Sequence, residues 1–355
     1  MGKKQHYVPR VLTKGFSDKE NEKLINIFLI STRTVKEGKG RYDQSQKHNL
    51  YGADQELEGA FEILETNTSP ALDKLRSGNL QLTPQELGFL LCFVVFQRNR
   101  TPQQAKQFEE SFNLMVKNLA SHDSKLKNHL DDFTVGLNDP YRLLFQMSVS
   151  MVENLADLRL GLLQAPSGEQ FVLSEHPVVV VNPFLHLKNW PASKQGPGVK
   201  GAAIVLPISS EYAVLLYDPL RYKFFSQSGV ATLSVADLTE LNKCQFLQTE
   251  DCIYFSGSIS QNHLTKLAEE TKVYRNCTKA TLQVYPANVN KKGKGRRSEL
   301  IQIGSEALPI SQNFDFLGIR RAEWEKPLGN TMDVSREAVK NNELRRERDR
   351  RDEAG

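Results

Sequence analysis

An imidazole, a phenol and a guanidinium stand close together in Gln5-His6-Tyr7-Val8-Pro9-Arg10, around a proline that stiffens the backbone. A histidine titrating near neutrality can move protons, and an arginine can grip phosphate or carboxylate with two N–H groups. In an extended strand, side chains alternate with period two, so His6 and Arg10 would share a face and converge on one anion. The structural alternative is that His6 and Tyr7 anchor the N-terminal segment by hydrogen bonds. Gln97 and Arg100, three apart at the end of an apolar helix, form a second candidate set. A buried arginine needs a partner, and Glu58, Glu62 and Glu65 on the preceding helix are available, so an ion pair between helices competes with a substrate grip. Ser174, Glu175 and His176 stand between a strand and Pro177, where a sheet can present side chains at a pocket mouth. With His6 they supply two imidazoles and a carboxylate, suited to a metal or to a general acid and base pair. The metal-free pair is preferred and no metal ligand is assigned. Tyr51-Gly52 looks like a turn that presents a phenol.

The elements that must position these groups follow from pattern. Ile25 to Ile30 is a compact apolar run suited to a buried strand, and Gly38 and Gly40 mark a loop after it. Helical spacing runs from Asp54 to Leu75, with Pro70 expected to kink it or start a new turn. Thr83-Pro84-Gln85-Glu86 carries a capping residue, a first-turn proline and the glutamate of a capping box. The same order repeats at Thr101-Pro102-Gln103-Gln104, so helices over about 84–100 and 102–121 should meet at a sharp corner. Asp139-Pro140 opens a third helix, expected to reach toward Leu160. Beyond Gly161 short β-branched and aromatic runs at 162–164, 171–173, 178–181, 203–206 and 212–217, separated by prolines and glycines, point to a mainly antiparallel sheet. Ser234 caps a helix through Leu247, and Cys252 to Gly257 returns to extended structure. Lys291, Lys292, Lys294, Arg296 and Arg297 form a glycine-bearing basic loop, and the charged end is a solvated helix or a disordered, dispensable tail.

Composition narrows the classes. The 355 residues carry 46 Lys and Arg against 42 Asp and Glu, a net +4 too small to argue for nucleic acid by bulk charge. The apolar run Leu87 to Phe96 is far shorter than the ~20 helical residues that cross a bilayer, and no apolar segment follows the basic N-terminus as in a secretory signal. Cys92, Cys244, Cys252 and Cys277 show no paired spacing, which suits reduced thiols in a cytoplasmic protein. Phosphate loop, HExxH, GxSxG and EF-hand patterns are missing.

QHYVPRVLTKGFS, YGADQELEGAFEILE, FQRNRTP and FVLSEHPVVVVNP, taken in order, resemble the DUF4238 family, which is widespread, mainly bacterial and without an assigned general function. The resemblance runs from about Gln5 to the region of Tyr254. It covers Gln97 with Arg100 to Pro102, Ser174 to Pro177, Pro207 with Ser209, and Asn242. Where it implies an aspartate, this chain has Glu175, longer by a methylene.

The combined expectation is an α+β protein. Residues 1–160 form a mainly helical portion carrying QHYVPR and QRNRTP, and 161–287 a mainly β portion carrying SEHP on the same core. Residues 288–355 supply a mobile basic C-terminal tail. The leading function is an enzyme on a phosphate-bearing substrate, RNA or a nucleotide phosphodiester, in a hydrolase or nuclease-like role that would suit defence or toxin chemistry. His6, Glu175 and His176 would be catalytic, with Tyr7, Arg10, Gln97, Arg100 and Ser174 binding substrate; the cofactor is left open. The alternative is a non-catalytic binding or scaffold module in which the same residues form a satisfied polar network.

Overall fold

A computed structural model describes residues 4–52, 56–187, 196–257, 259–275, 279–286, 299–305, 313–322 and 335–354. The basic loop at 291–297 lies outside them. The chain starts with β1 (Lys4–His6) and α1 (Arg10–Thr13), followed by β2 (Leu24–Leu29), β3 (Thr34–Gly40) and β4 (Gln46–His48). Helices α2 (Glu56–Arg76), α3 (Pro84–Asn99), α4 (Pro102–Ser121) and α5 (Pro140–Glu153) come next. The caps are those that the sequence specifies. Thr83 accepts the Glu86 N–H while Glu86 takes the Thr83 N–H, a complete capping box. Thr101 and Asp139 accept from Gln104 and Arg142. Helix α2 runs through Pro70 as one element.

Two sheets follow. Strands β5 (Arg159–Gln164), β6 (Leu173–Ser174) and β7 (Val179–Val181) lead through α6 (Pro183–Leu187) to β8 (Ala203–Pro207), β9 (Tyr212–Tyr217), β10 (Tyr222–Phe224) and β11 (Val230–Thr232). Helix α7 (Val235–Leu247), β12 (Cys252–Phe255) and α8 (Gln261–Lys272) come after them. One sheet has the order β11-β5-β9-β8-β7, antiparallel except for the parallel pair β11/β5. The other, β3-β2-β12-β6, is antiparallel throughout. This is a mixed α+β fold with antiparallel pairing dominant. Strand β9 is apolar from Ala213 to Leu216 and buried along its length, as a strand covered on both faces must be.

The main hydrophobic cluster joins Tyr7, Val8 and Leu12 with Phe93 of α3 and with Leu163, Val205 and Leu215 of the larger sheet. A second, with Phe28, Phe246, Ile253 and Leu264, packs α7 and α8 on the smaller sheet. The third is aromatic: Tyr51, Phe61, Tyr141 and Phe145 meet in edge-to-face and tilted contacts, with Tyr51 and Tyr141 edge to face and their centroids 5.2 Å apart.

Helix α5 stops at Glu153, short of the expected Leu160. Leu155 and Leu158 continue the helical spacing and are buried, but they pack from a turn. The backbone from Arg159 is claimed by β9 in an antiparallel ladder.

Hairpin strands β13 (Ala280–Pro286) and β14 (Glu299–Ser305) lie on α4, and β15 (Leu317–Ile319) pairs with β10. The charged end is a helix, α9 (Glu337–Ala354), and its first half is docked rather than solvated: Val339 is buried, and Asn342, Arg345 and Arg346 bond to Ser150, Glu153 and Asn154 at the end of α5. The residue before it is anything but solvated. Arg336 is 1% exposed, meets Asp157 with Nε at 2.9 Å and Nη2 at 3.1 Å, and donates to the carbonyls of Asn154 and Pro197. Residues from 336 onward are therefore not simply dispensable: Arg336→Ala is expected to lower the unfolding free energy by about 2–3 kcal/mol, measured by denaturant melts. A loss below about 0.5 kcal/mol would show that the anchor is idle.

Candidate functional site

The QHYVP segment is fixed by its own backbone geometry. β1 pairs with β4 through His6, and Pro9 then serves as the N-cap of α1, with φ −73° and ψ 155°. Arg10 is thus the first residue of a helix, and the shared strand face expected for His6 and Arg10 does not exist. The strand ends at His6, Tyr7 and Val8 form a bend, and Pro9 with its fixed φ leads into the helix. The two side chains still approach each other, through Tyr42. His6 donates from Nε2 to the Tyr42 carbonyl at 3.1 Å, and the Arg10 guanidinium lies 4.9 Å from the Tyr42 ring centroid. Arg41 lies 4.8 Å from the same centroid. Burial lowers the His6 pKa, the Tyr42 carbonyl opposes that shift, and Arg10 adds to it.

Gln97 and Arg100 are buried, and both reach the backbone of this segment. Gln97 Nε2 donates to the Tyr7 carbonyl at 2.9 Å, and Arg100 Nη2 donates to the His6 carbonyl. The remaining Arg100 donors go to Glu65 Oε1 at 2.7 Å and to the Tyr51 hydroxyl at 3.2 Å. Of the three glutamates open to it by sequence, Glu65 is the partner at ion-pair distance. The guanidinium carbon stands 4.2 Å from the Phe61 ring centroid. Gln97 in the last turn of α3 and Arg100 at its C-cap are three positions apart, so they share a face and reach the carbonyls of two consecutive residues.

Glu175 is the hub of the third motif. Its Oε1 accepts the Tyr7 hydroxyl at 2.8 Å. Its Oε2 accepts the Thr249 hydroxyl at 2.9 Å and the backbone N–H groups of Glu250, Asp251 and Cys252 at 3.1, 2.8 and 3.1 Å. One carboxylate therefore ties the QHYVP segment to the turn between α7 and β12. Burial raises the Tyr7 and Tyr254 hydroxyls, and the Cys252 thiol to about 12, with the Glu175 charge adding to each.

Ser174 and His176 face other partners. Ser174 gives its N–H and its hydroxyl to Gln245 Oε1, at 3.0 and 2.7 Å, and Gln245 Nε2 reaches the Pro177 carbonyl. The His176 ring, 2% exposed, meets the Thr101 hydroxyl through Nδ1 at 2.5 Å. Burial pushes its pKa down to about 3, and the Arg98 charge adds to the shift. Thr101 accepts the Gln104 N–H as helix cap, so its own proton is available for a neutral His176. A histidine held neutral gives a linkage effect with a definite sign. The unfolded imidazole takes a proton below about pH 6.5, while the folded one stays neutral down to about 3. The unfolded chain then binds more protons, so stability is full above 6.5 and falls as the pH falls through that window. From about pH 6.5 to 5 the His176 contribution is about 2 kcal/mol. Denaturant melts at the two pH values should show it, and His176→Asn should flatten the slope; an equal slope would refute the assignment.

The structure thus brings Tyr7, Gln97, Arg100 and Glu175 into one network, with His6 and Arg10 at its open edge and Ser174 and His176 in adjoining ones. Tyr51 was read only as a turn phenol, yet it is buried and its hydroxyl lies between the carbonyls of His6 and Arg100. Burial raises its pKa to about 12. Gln5 accepts the Tyr51 N–H at 2.8 Å, so the first motif reaches this tyrosine twice. Thr249 and Gln245 were not singled out; isolated polar residues near the end of a helix carry no spacing signal. Among the described residues no group of His, Cys, Asp and Glu is arranged to hold a metal ion, and no helix is long and apolar enough to cross a membrane.

Comparison with known proteins adds one positive match. A family model for a protein of unknown function, DUF4238, matches residues 4–258, which spans all three motifs. No curated protein and no solved structure matches the chain. With well over half of its length under that model, and with its motifs interlocked inside the matched region, the chain belongs to the DUF4238 family.

Proposed function

We propose that this protein is a non-catalytic binding module, and that the QHYVP, QxxRTP and SExP motifs form the polar lock that holds its two halves together. The observation that carries this reading is the commitment of Glu175, whose two oxygens accept five hydrogen bonds from within the chain. A general base needs an oxygen within reach of a substrate proton, and a phosphate grip needs undirected N–H groups. Glu175 and Arg100 are occupied on both counts, and His176 is neutral and sealed. A recess of about 620 Å³, in the size range of ligand pockets, is lined by Gln164, Ser167, Gln170, Ser210, Thr232 and Ser256 and includes none of the motif side chains.

The enzyme reading now rests on His6 and Arg10, which stay partly open to solvent beside Tyr42. The decisive assay incubates the purified protein with single-stranded RNA and with a cyclic nucleotide diester, beside His6→Ala. The binding-module reading expects no turnover above the variant and a melting temperature lowered by a few degrees, because His6 loses its hydrogen bond to Tyr42. Turnover that disappears in His6→Ala without loss of stability overturns it in favour of a phosphodiesterase.

A further inference from the structure

The turn that Glu175 holds is also the wall of a cavity. A pocket of about 180 Å³ opens between α4 and the turn after α7, with Lys106, Thr249, Glu250, Arg275 and Lys279 at its edge. Its position depends on the motifs. Thr101 caps α4 and so sets Lys106. Gln103 Nε2 donates to Gln248 Oε1 at 3.1 Å, tying α4 to the turn. Glu175 fixes the backbone of residues 250 to 252 from below. Arg275 clamps the turn from above through the Thr249 and Glu250 carbonyls, at 2.5 and 2.7 Å.

Charge makes the pocket selective. Lys106, Arg275 and Lys279 supply three cations, and Glu110 and Glu250 two carboxylates. Glu110 Oε2 is engaged by the Ala280 N–H at 3.2 Å. Neither Lys106 nor Lys279 has a carboxylate within ion-pair distance among the described residues. Two exposed lysines lining one small cavity, with amide side chains of Gln103 and Gln107 beside them, suit a compact oxyanion.

We infer that this pocket binds a phosphate group, with Lys106 and Lys279 as its charged ligands and the Glu175-braced turn as its rigid wall. The inference rests on the binding-module reading and supplies its ligand chemistry. Surface position means that both lysines can be changed without disturbing the core.

The test is titration calorimetry with inorganic phosphate at low ionic strength, on the wild type, Lys106→Gln and Lys279→Gln, each checked for an unchanged melting temperature. Saturable binding that weakens about tenfold in each variant is the expected result, the loss typical of one charge-assisted contact. No saturable binding to the wild type, or binding of unchanged strength in either variant, overturns the inference. Adenosine 5′-monophosphate as a second probe separates the sources. Tighter binding than inorganic phosphate points to a nucleotide, and equal or weaker binding to the free ion; both sustain the site. The RNA assay above fails or succeeds independently, since it reads His6 and not the lysines.

Discussion

Glu175→Ala is expected to lower the unfolding free energy by about 4 kcal/mol, the largest effect of any single substitution in the motifs. The change removes the acceptor for three backbone N–H groups and the Tyr7 hydroxyl in partly buried surroundings, while the Thr249 hydroxyl keeps the Cys252 carbonyl at 2.7 Å, and each orphaned donor costs about 1–3 kcal/mol where water cannot replace the carboxylate. Part of that cost is relieved because the Glu250 N–H lies near solvent. Glu175→Gln should be milder, about 1–2 kcal/mol, since one oxygen still serves the turn and the Tyr7 hydroxyl can turn to accept from the amide. Glu175→Asp is informative because the family resemblance implies an aspartate at this position. Shorter by a methylene, it can serve the turn or Tyr7, and a loss near that of Tyr7→Phe would show which bond was given up. Urea melts give the totals, and amide exchange at residues 250 to 252 gives the location. If Glu175→Ala costs less than about 1 kcal/mol and leaves exchange at those amides unchanged, the hub assignment is wrong.

Arg100→Lys should cost about 3 kcal/mol although it keeps the charge. The guanidinium reaches in three directions, to Glu65, to the Tyr51 hydroxyl and to the His6 carbonyl, while its face rests on Phe61. An ammonium is a compact donor on a shorter reach and satisfies one or two of these. The rest leaves the His6 carbonyl or the Glu65 carboxylate without its partner. A double-mutant cycle of Arg100→Lys with Glu65→Gln isolates the ion pair and should give a coupling above about 1 kcal/mol. Additive losses would mean that Glu65, which is partly exposed, is solvated well enough to stand alone.

Both predictions concern bonds between residues far apart in the chain, and that separates what was legible in the sequence from what was not. Thr83, Thr101, Asp139 and Ser234 were readable as caps because a cap acts on the next turn of its own helix. The mainly antiparallel sheet followed from short apolar runs and their proline and glycine breaks. The bond from Tyr7 to Glu175 has no local correlate, since nothing in the spacing of either motif specifies the other. Helical geometry could reduce the partners of Arg100 to three glutamates, but choosing Glu65 required the crossing of α2 and α3. His6 and Arg10 were misplaced for a local reason. By sequence Pro9 suits a stiff link inside a strand, whereas in the fold the same fixed φ leads into a helix. Leu155 and Leu158 kept the helical period beyond the end of α5 because buried turns also want leucine.

Arg336 bears on how the chain reaches this state. Its guanidinium and backbone close the loop at residues 197 to 199 onto Asn154 and Asp157, and β15, also late in the chain, completes the β10 ribbon. During synthesis the larger sheet leaves the ribosome well before either piece exists. Until Arg336 emerges, the Asp157 carboxylate and the Asn154 and Pro197 carbonyls must stay hydrated, which leaves the turns before β5 and β8 unclosed. The closing step therefore waits for residue 336, and a nascent chain stalled before Arg336 should expose its 196–199 loop to protease while a chain that includes Arg336 protects it.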